Sequence, residues 1–189
     1  MMPAAAPDST PDDRDRFARA LVALVPNLRR YALALCRSRD VADDLVQATC
    51  ERALAGQQGF EPGTRMDAWL FRILRNAWID GFRRTRAEGV VVDIDAASEV
   101  AGEDRVRTGE SRLLLDAAGR AIMRLPEEQR EVLLLVCVEE LSYREASALL
   151  DIPIGTVMSR LARARSRLAD DLGLNAAASR PHATKEAGS

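Results

Sequence analysis

The sequence predicts an all-α fold: two small helical domains joined by a flexible acidic linker, the second containing a helix-turn-helix. Three observations predict it. Strand signals are nearly absent, Val90-Val91-Val92 being the only β-branched cluster. Apolar residues recur at three- and four-residue spacing through most of the chain, as amphipathic helices require. Leu141–Leu168, LSYREASALLDIPIGTVMSRLARARSRL, reads as two short helices around a tight turn.

The elements follow in order. Phe17, Leu21, Leu24, Leu28, Tyr31 and Leu35 form one apolar stripe, and Pro26 inside it predicts a kink or restart. Val41, Ala42, Leu45, Val46 and Thr49 form the apolar face of a second helix, Asp40–Ala55, with Asp40 as its cap. Gly56–Arg65, GQQGFEPGTR, is a loop by its glycines and proline. Asp67 caps a third helix from Ala68 to about Arg84, with Leu70, Ile73, Leu74, Ala77 and Gly81 facing inward. Glu88–Gly109 has no sustained period and reads as the linker. Helices over Arg112–Arg124 and Pro126–Val138 then precede the helix-turn-helix. The expected organisation is a domain over 12–87, a linker over 88–110 and a domain over 111–173. The tails, 1–11 and 174–189, are expected to be disordered from their small and polar composition.

The helix-turn-helix is the most specific local signal. Ser142 and Glu145 make a capping box. Ala146, Leu149 and Leu150 give the first helix its apolar face. Asp151-Ile152-Pro153 ends it, and Pro153 suits the opening turn of the next. There Ile154, Val157, Leu161, Ala164 and Leu168 are expected to face inward. Gly155, Met158, Ser159, Ala162 and Arg163 form the opposite stripe, flanked by Arg160, Arg165 and Arg167. Small residues let a helix approach a groove closely, and arginines on its borders reach phosphates or guanine edges. The segment on its own supports sequence-specific DNA binding, and it also supports an amphipathic helix pair with a solvated basic face.

The third helix carries a second surface. Trp69, Arg72, Asn76 and Arg83 lie roughly along one side, beside a loop containing Phe60. Aromatic rings stack on bases and guanidinium groups meet phosphates, so the set suits single-stranded DNA, and Asn76 can hydrogen-bond the edge of an extruded base. Tryptophans in a core beside solvated arginines give the same pattern.

Composition bounds the remaining classes. The 189 residues carry a net charge of only −2, so no overall basic field drives non-specific nucleic-acid binding. The charge is patterned instead: Arg65–Arg86 sets six arginines against two aspartates, and Ala87–Ser111 sets two arginines against seven acids. Cys36, Cys50 and Cys137 are widely spaced, and the one histidine, His182, lies in the C-terminal tail. This argues against a metal site and for small core cysteines in a reducing compartment. Without a phosphate-binding glycine loop, catalytic constellation or cofactor motif, no enzyme activity and no cofactor are expected. No apolar run is long enough to cross a membrane and no signal peptide opens the chain, so a cytoplasmic location is expected.

Four segments then occur in a specific order: DVADDLVQATCERAL at Asp40–Leu54, DAWLFRILRNAWIDGFRR at Asp67–Arg84, LPEEQREVLLL at Leu125–Leu135 and GTVMSRLARARSRL at Gly155–Leu168. From about Phe17 to Leu172 the chain resembles the bacterial sigma factors of the extracytoplasmic-function (ECF) type. The resemblance implies an alternative sigma factor that directs core RNA polymerase to promoters and aids their melting. Asp43, Asp44, Leu45 and Gln47 match positions that dock on the clamp helices of the β′ subunit. The second domain is implied to meet the β flap. Asn76 matches the asparagine of the pocket for a flipped minus-ten base, and Phe60–Arg65 matches the adjoining loop. Met158, Ser159, Ala162 and Arg163 match positions facing the minus-thirty-five bases, with Thr156 and Arg160 in the same motif. The partners implied are core polymerase, promoter DNA and an anti-sigma factor, with no insertion into the membrane. A regulator that binds DNA without polymerase, and a sigma mimic that only titrates an anti-sigma protein, are the alternatives. The aromatic third helix argues against the first and the arginine-rich last helix against the second.

Overall fold

The computed structural model describes residues 11–87 and 109–174, with side chains over 12–81 and 117–174. The expectations for the two tails and for the linker, Val90-Val91-Val92 included, fall on residues outside these ranges, apart from a few helical ones at the margins.

Helix α1 runs unbroken over Pro11–Cys36 with Pro26 inside it. An interior proline costs about 3 kcal/mol through its missing N–H and ring clash. Burial of Leu21, Leu28 and Leu35 on one face, at about 1.5–3 kcal/mol each, outweighs that cost. The expected restart therefore does not occur. The helix ends at Arg37, which adopts a left-handed φ of 58°. Helix α2 follows over Arg39–Ala55, capped by the Ser38 side chain rather than by Asp40. Ala42, Leu45, Val46, Thr49 and Ala53 are buried along it. A single 3-10 turn, Gln57–Gly59, opens the loop to α3, Met66–Ala87. In α3, Leu70, Phe71, Leu74 and Ala77 are buried, whereas Gly81 faces solvent, not the core.

The second unit opens with α4, Gly109–Arg124, and α5, Glu127–Leu133. A π-helical turn over Leu134–Val138 follows. Its wider winding leaves Cys137 and Val138 exposed and turns Glu139 inward. Of the three cysteines expected in the core, only Cys36 is buried. Helices α6, Tyr143–Leu150, and α7, Ile154–Asp171, complete the helix-turn-helix.

The two units pack directly on one another. Helix α1 contacts α2 and α3 within its own unit and also α5 and the π turn, while α3 contacts α6. One apolar cluster runs through both units, from Leu28 and Phe71 to Val132 and Leu161. Among the described residues no helix is long and apolar enough to cross a membrane, and no group of side chains is arranged to hold a metal ion.

Candidate nucleic-acid interface

The turn of the helix-turn-helix is held by its own sequence. Ser142 Oγ accepts the Glu145 N–H, and the Glu145 carboxylate accepts the Ser142 N–H at 2.7 Å. Asp151 closes α6 in the left-handed region, φ 54°, which aspartate tolerates better than bulkier residues. Ser147, a position the sequence did not single out, clamps the turn. Its hydroxyl donates to the Ile152 carbonyl at 2.5 Å and its own carbonyl accepts from Ile152 N–H at 3.2 Å. The signal for it was there: a serine four residues before the breaker can reach the freed carbonyls.

Helix α7 is thus fixed by one face and open on the other. Val157, Leu161 and Ala164 are buried. Gly155, Met158, Ala162 and Arg163 are exposed, and Thr156 and Ser159 are half-buried at the margin. Ile154, expected inside, is 40% exposed and lies at the entrance of the stripe. Arg163 rests along its own helix, donating to the Ser159 carbonyl and hydroxyl, both at 3.2 Å. Arg160 differs from the other arginines. It pairs with Glu128 of α5 at 2.8 Å and its side chain is only 21% exposed, so it braces α7 against the domain. Arg165 donates to Cys137 Sγ at 3.4 Å and is exposed. The geometry brings Met158, Ser159, Ala162 and Arg163 onto one accessible surface and sets Arg160 to the side.

The surface of α3 is built around three rings. Trp69 lies 5.5 Å from Phe60 and 6.1 Å from Phe17, and Phe17 and Phe60 are also 6.1 Å apart. Trp69 is therefore half-buried as the anchor that seats the 56–65 loop over the start of α3. Arg72 and Asn76, one turn apart, are exposed. The side chain of Arg83 lies outside the described ones. Arg65 ends the loop in a fork on Asp67, Nη2 to Oδ2 2.6 Å. Although burial alone would raise the Asp67 carboxyl, the Arg65 and Ala68 hydrogen bonds hold it below the usual aspartate value.

On α2, Asp43, Asp44 and Gln47 are exposed. Asp43 pairs with Arg29 at 2.8 Å and Gln47 donates to Glu51. Leu45, placed in the same docking set from sequence, is instead buried at 9% exposure and packs in the core. It shares the inward face with Ala42 and Thr49, whereas Val41, expected on that face, is exposed, so Leu45 supports the surface from beneath.

Comparison with known proteins gives matches to both units. The Sigma-70 region 4 family model matches residues 115–168, and the Sigma2 domain of PhyR matches residues 21–75. The chain is 40% identical over 155 residues to the ECF RNA polymerase sigma factor EcfG of Rhodopseudomonas palustris, covering 82% of this chain and 83% of that protein. It is 36% identical over 146 residues to the ECF RNA polymerase sigma factor SigM of Mycobacterium tuberculosis, covering 77% and 71% respectively. Among solved structures, the sigma factor RpoE of Bartonella quintana, crystallised in complex with the anti-sigma factor NepR, superposes with a TM-score of 0.71 at 34% identity. That match covers 85% of this chain and 99% of the other.

Proposed function

This chain belongs to the ECF sigma factors of RNA polymerase, and from that premise we propose how its surfaces divide the work of starting transcription. The α7 stripe of Met158, Ser159, Ala162 and Arg163 enters the major groove of the minus-thirty-five element. Thr156, Arg160 and Arg165 steady the helix or meet phosphates. On α3, Asn76 holds an extruded minus-ten base, with Arg72 and the Trp69-anchored loop beside it; Arg83, later in the same helix, is assigned to DNA from the sequence alone. Asp43, Asp44 and Gln47 of α2 dock on the β′ clamp helices, and the second unit meets the β flap. The protein's part is recognition and melting, in the bacterial cytoplasm; bond-making belongs to the polymerase.

The observation that supports this best is the split character of α7. The same helix buries Val157, Leu161 and Ala164 and leaves Gly155, Met158, Ala162 and Arg163 to solvent. A helix held on one side with small residues and an arginine on the other fits a groove reader. The near-neutral charge fits a protein that gains affinity only when polymerase holds both of its units on DNA. Similarity to a sigma factor crystallised with NepR supports a further assignment: an anti-sigma protein holds this chain inactive and competes with core polymerase for α2.

Run-off transcription with purified core polymerase and a promoter library tests the reading. Promoter-selective transcripts that require the chain are expected. DNA binding with no dependence on polymerase would replace the reading with an ordinary helix-turn-helix regulator. The match to the PhyR domain makes one other outcome worth naming: capture of an anti-sigma protein with no transcription would identify a mimic.

A further inference from the structure

The open side of α7 has two edges of different chemistry. Ile154 and Met158 are 40% and 52% exposed, and Ile154 is the first residue of the helix. At about 100° per residue the two share one edge of the open side, a single turn apart. Ser159 and Arg163 form the other edge, about 100° or more further round. That edge is polar and bonded within itself. Arg163 donates to the Ser159 hydroxyl and carbonyl, and the Ser159 hydroxyl donates to the Thr156 carbonyl at 3.1 Å. Gly155 and Ala162 lie between the edges and keep the middle shallow. The charge around them has one sign. Ile154–Leu168 holds four arginines and no acid, and Arg163, Arg165 and Arg167 are exposed. Two large apolar side chains therefore stand in water at the leading end of a basic helix.

Their exposure has a chemical counterpart in duplex DNA. Base edges in the major groove are rows of donors and acceptors, and the apolar group among them is the thymine C5-methyl. An isoleucine or methionine set against a guanine, cytosine or adenine edge strips water from a polar group and returns no hydrogen bond. Set against a thymine methyl, the same side chain buries apolar area on both partners. The first turns of a recognition helix are the part that meets base edges. Four residues advance the helix about 6 Å, and base pairs rise about 3.4 Å each, so Ile154 and Met158 span neighbouring positions. We propose that Ile154 and Met158 are specificity-determining residues that read the methyl groups of one or two neighbouring thymines in the minus-thirty-five element, while the Ser159–Arg163 edge reads polar groups. This assignment rests on the function proposed above and adds a base chemistry for each edge of α7. Ile154 carries the sharper consequence, because its helical spacing placed it in the core.

Promoter binding by the reconstituted holoenzyme tests the assignment. Selection from promoters randomised across the minus-thirty-five element should return thymine, on one strand or the other, at one or two neighbouring positions. Replacing each such thymine by uracil removes only the C5-methyl. Each replacement should weaken binding by the parent about fourfold, as loss of one buried methyl does. Met158→Gln and Ile154→Ser change exposed positions and should retain helicity by circular dichroism. Each should bind thymine and uracil templates equally at the position it serves. Met158→Leu and Ile154→Val remain apolar and should keep the preference. Arg163→Ala should weaken binding to all templates and leave the thymine-to-uracil ratio as it is in the parent. Equal binding of thymine and uracil templates by the parent overturns the proposal, and so do folded polar variants that keep the full ratio. The parent's own ratio decides the matter if a variant fails to fold. Selective promoter binding without methyl dependence would sink the methyl reading alone. A holoenzyme that selects no sites would sink the functional reading together with it.

Discussion

Arg75 on α3 and Glu131 on α5 form a cross-unit ion pair, Nε to Oε1 2.9 Å, with the glutamate side chain 9% exposed and the arginine 22%. Burial pushes the Glu131 carboxyl above its ordinary value, against the pull of Arg75 and the Tyr31 hydroxyl. Tyr31 is pushed well above its own ordinary value, first by burial and then by the Glu131 charge. Removing Arg75 strands a buried carboxylate, which typically costs about 3–5 kcal/mol when a pair is fully buried. Since water reaches Arg75, Arg75→Ala should cost about 2–3 kcal/mol. Tyr31→Phe, which removes one donor and leaves the ion pair, should cost about 1–2 kcal/mol. Urea unfolding of both single variants and the double variant checks this. An unchanged midpoint for Arg75→Ala would show that the pair holds nothing.

These residues also mark where the sequence is silent. The helices of both units were legible because each carries its own periodicity. The turn at Asp151–Pro153 was legible because capping boxes and prolines are local. Glu131, Glu139, Arg37 and Arg130 carry no local signal. They look like ordinary charged residues, and only the packing of one unit on the other buries them. Leu45 carried two readings, one on the apolar face of the second helix and one in the docking set, and only its packing shows how far it is buried. Arg160 reads from sequence as one of three arginines flanking the stripe, and its pairing with Glu128 is visible only in three dimensions.

Asp67 supplies an acid limb to stability. Its carboxyl titrates below the ordinary aspartate value when folded. A group depressed on folding contributes stability that is fully present above its unfolded value, about 3.9, and is lost as pH falls through the folded one. Asp67→Asn should therefore be less stable than the parent at about pH 6, and the gap should close well below pH ~3.9. Thermal unfolding of the two proteins across that range provides the comparison. A gap of constant size would contradict the assignment of the low value to Asp67.

The two arginines of α7 should separate. Arg163 is exposed on the stripe, so Arg163→Ala should weaken promoter binding by the reconstituted holoenzyme by about 1–3 kcal/mol if it makes a bidentate base contact. The loss should vanish on templates altered at the contacted pair. Arg160→Ala breaks the partly exposed pair with Glu128 and should act mainly on stability, by about 1 kcal/mol or less. Equal promoter defects from both substitutions, with unchanged stability, would mean that Arg160 leaves Glu128 to contact DNA.

The polymerase face should show the same separation. Asp44 is exposed on α2 and Leu45 beside it is buried. Asp44→Arg should leave unfolding unchanged and weaken holoenzyme assembly. Leu45→Ala should cost about 2–5 kcal/mol in stability, as truncation of a core leucine does. Core-polymerase binding measured on protein that retains full helicity distinguishes them. Tight assembly by folded Asp44→Arg would remove α2 from the docking surface.

Asn76 carries the proposal for melting. It stands exposed one turn beyond Arg72 on α3, on the helix whose start is fixed by the Phe17, Phe60 and Trp69 rings. A side-chain amide offers both donors and an acceptor, so it can meet the edge of an unpaired base that a duplex would hide. Extruding a base costs a few kcal/mol, roughly what stacking and pocket hydrogen bonds return. Asn76→Ala removes only the return. Initial promoter binding, set largely by α7, should therefore be nearly unchanged, while the open complex should be depleted, as read by permanganate reactivity of unpaired thymines. A template already mismatched across the minus-ten element should rescue much of the defect, because its unpairing cost is already met. An equal defect on duplex and pre-melted templates would assign Asn76 to a step other than capture of the extruded base.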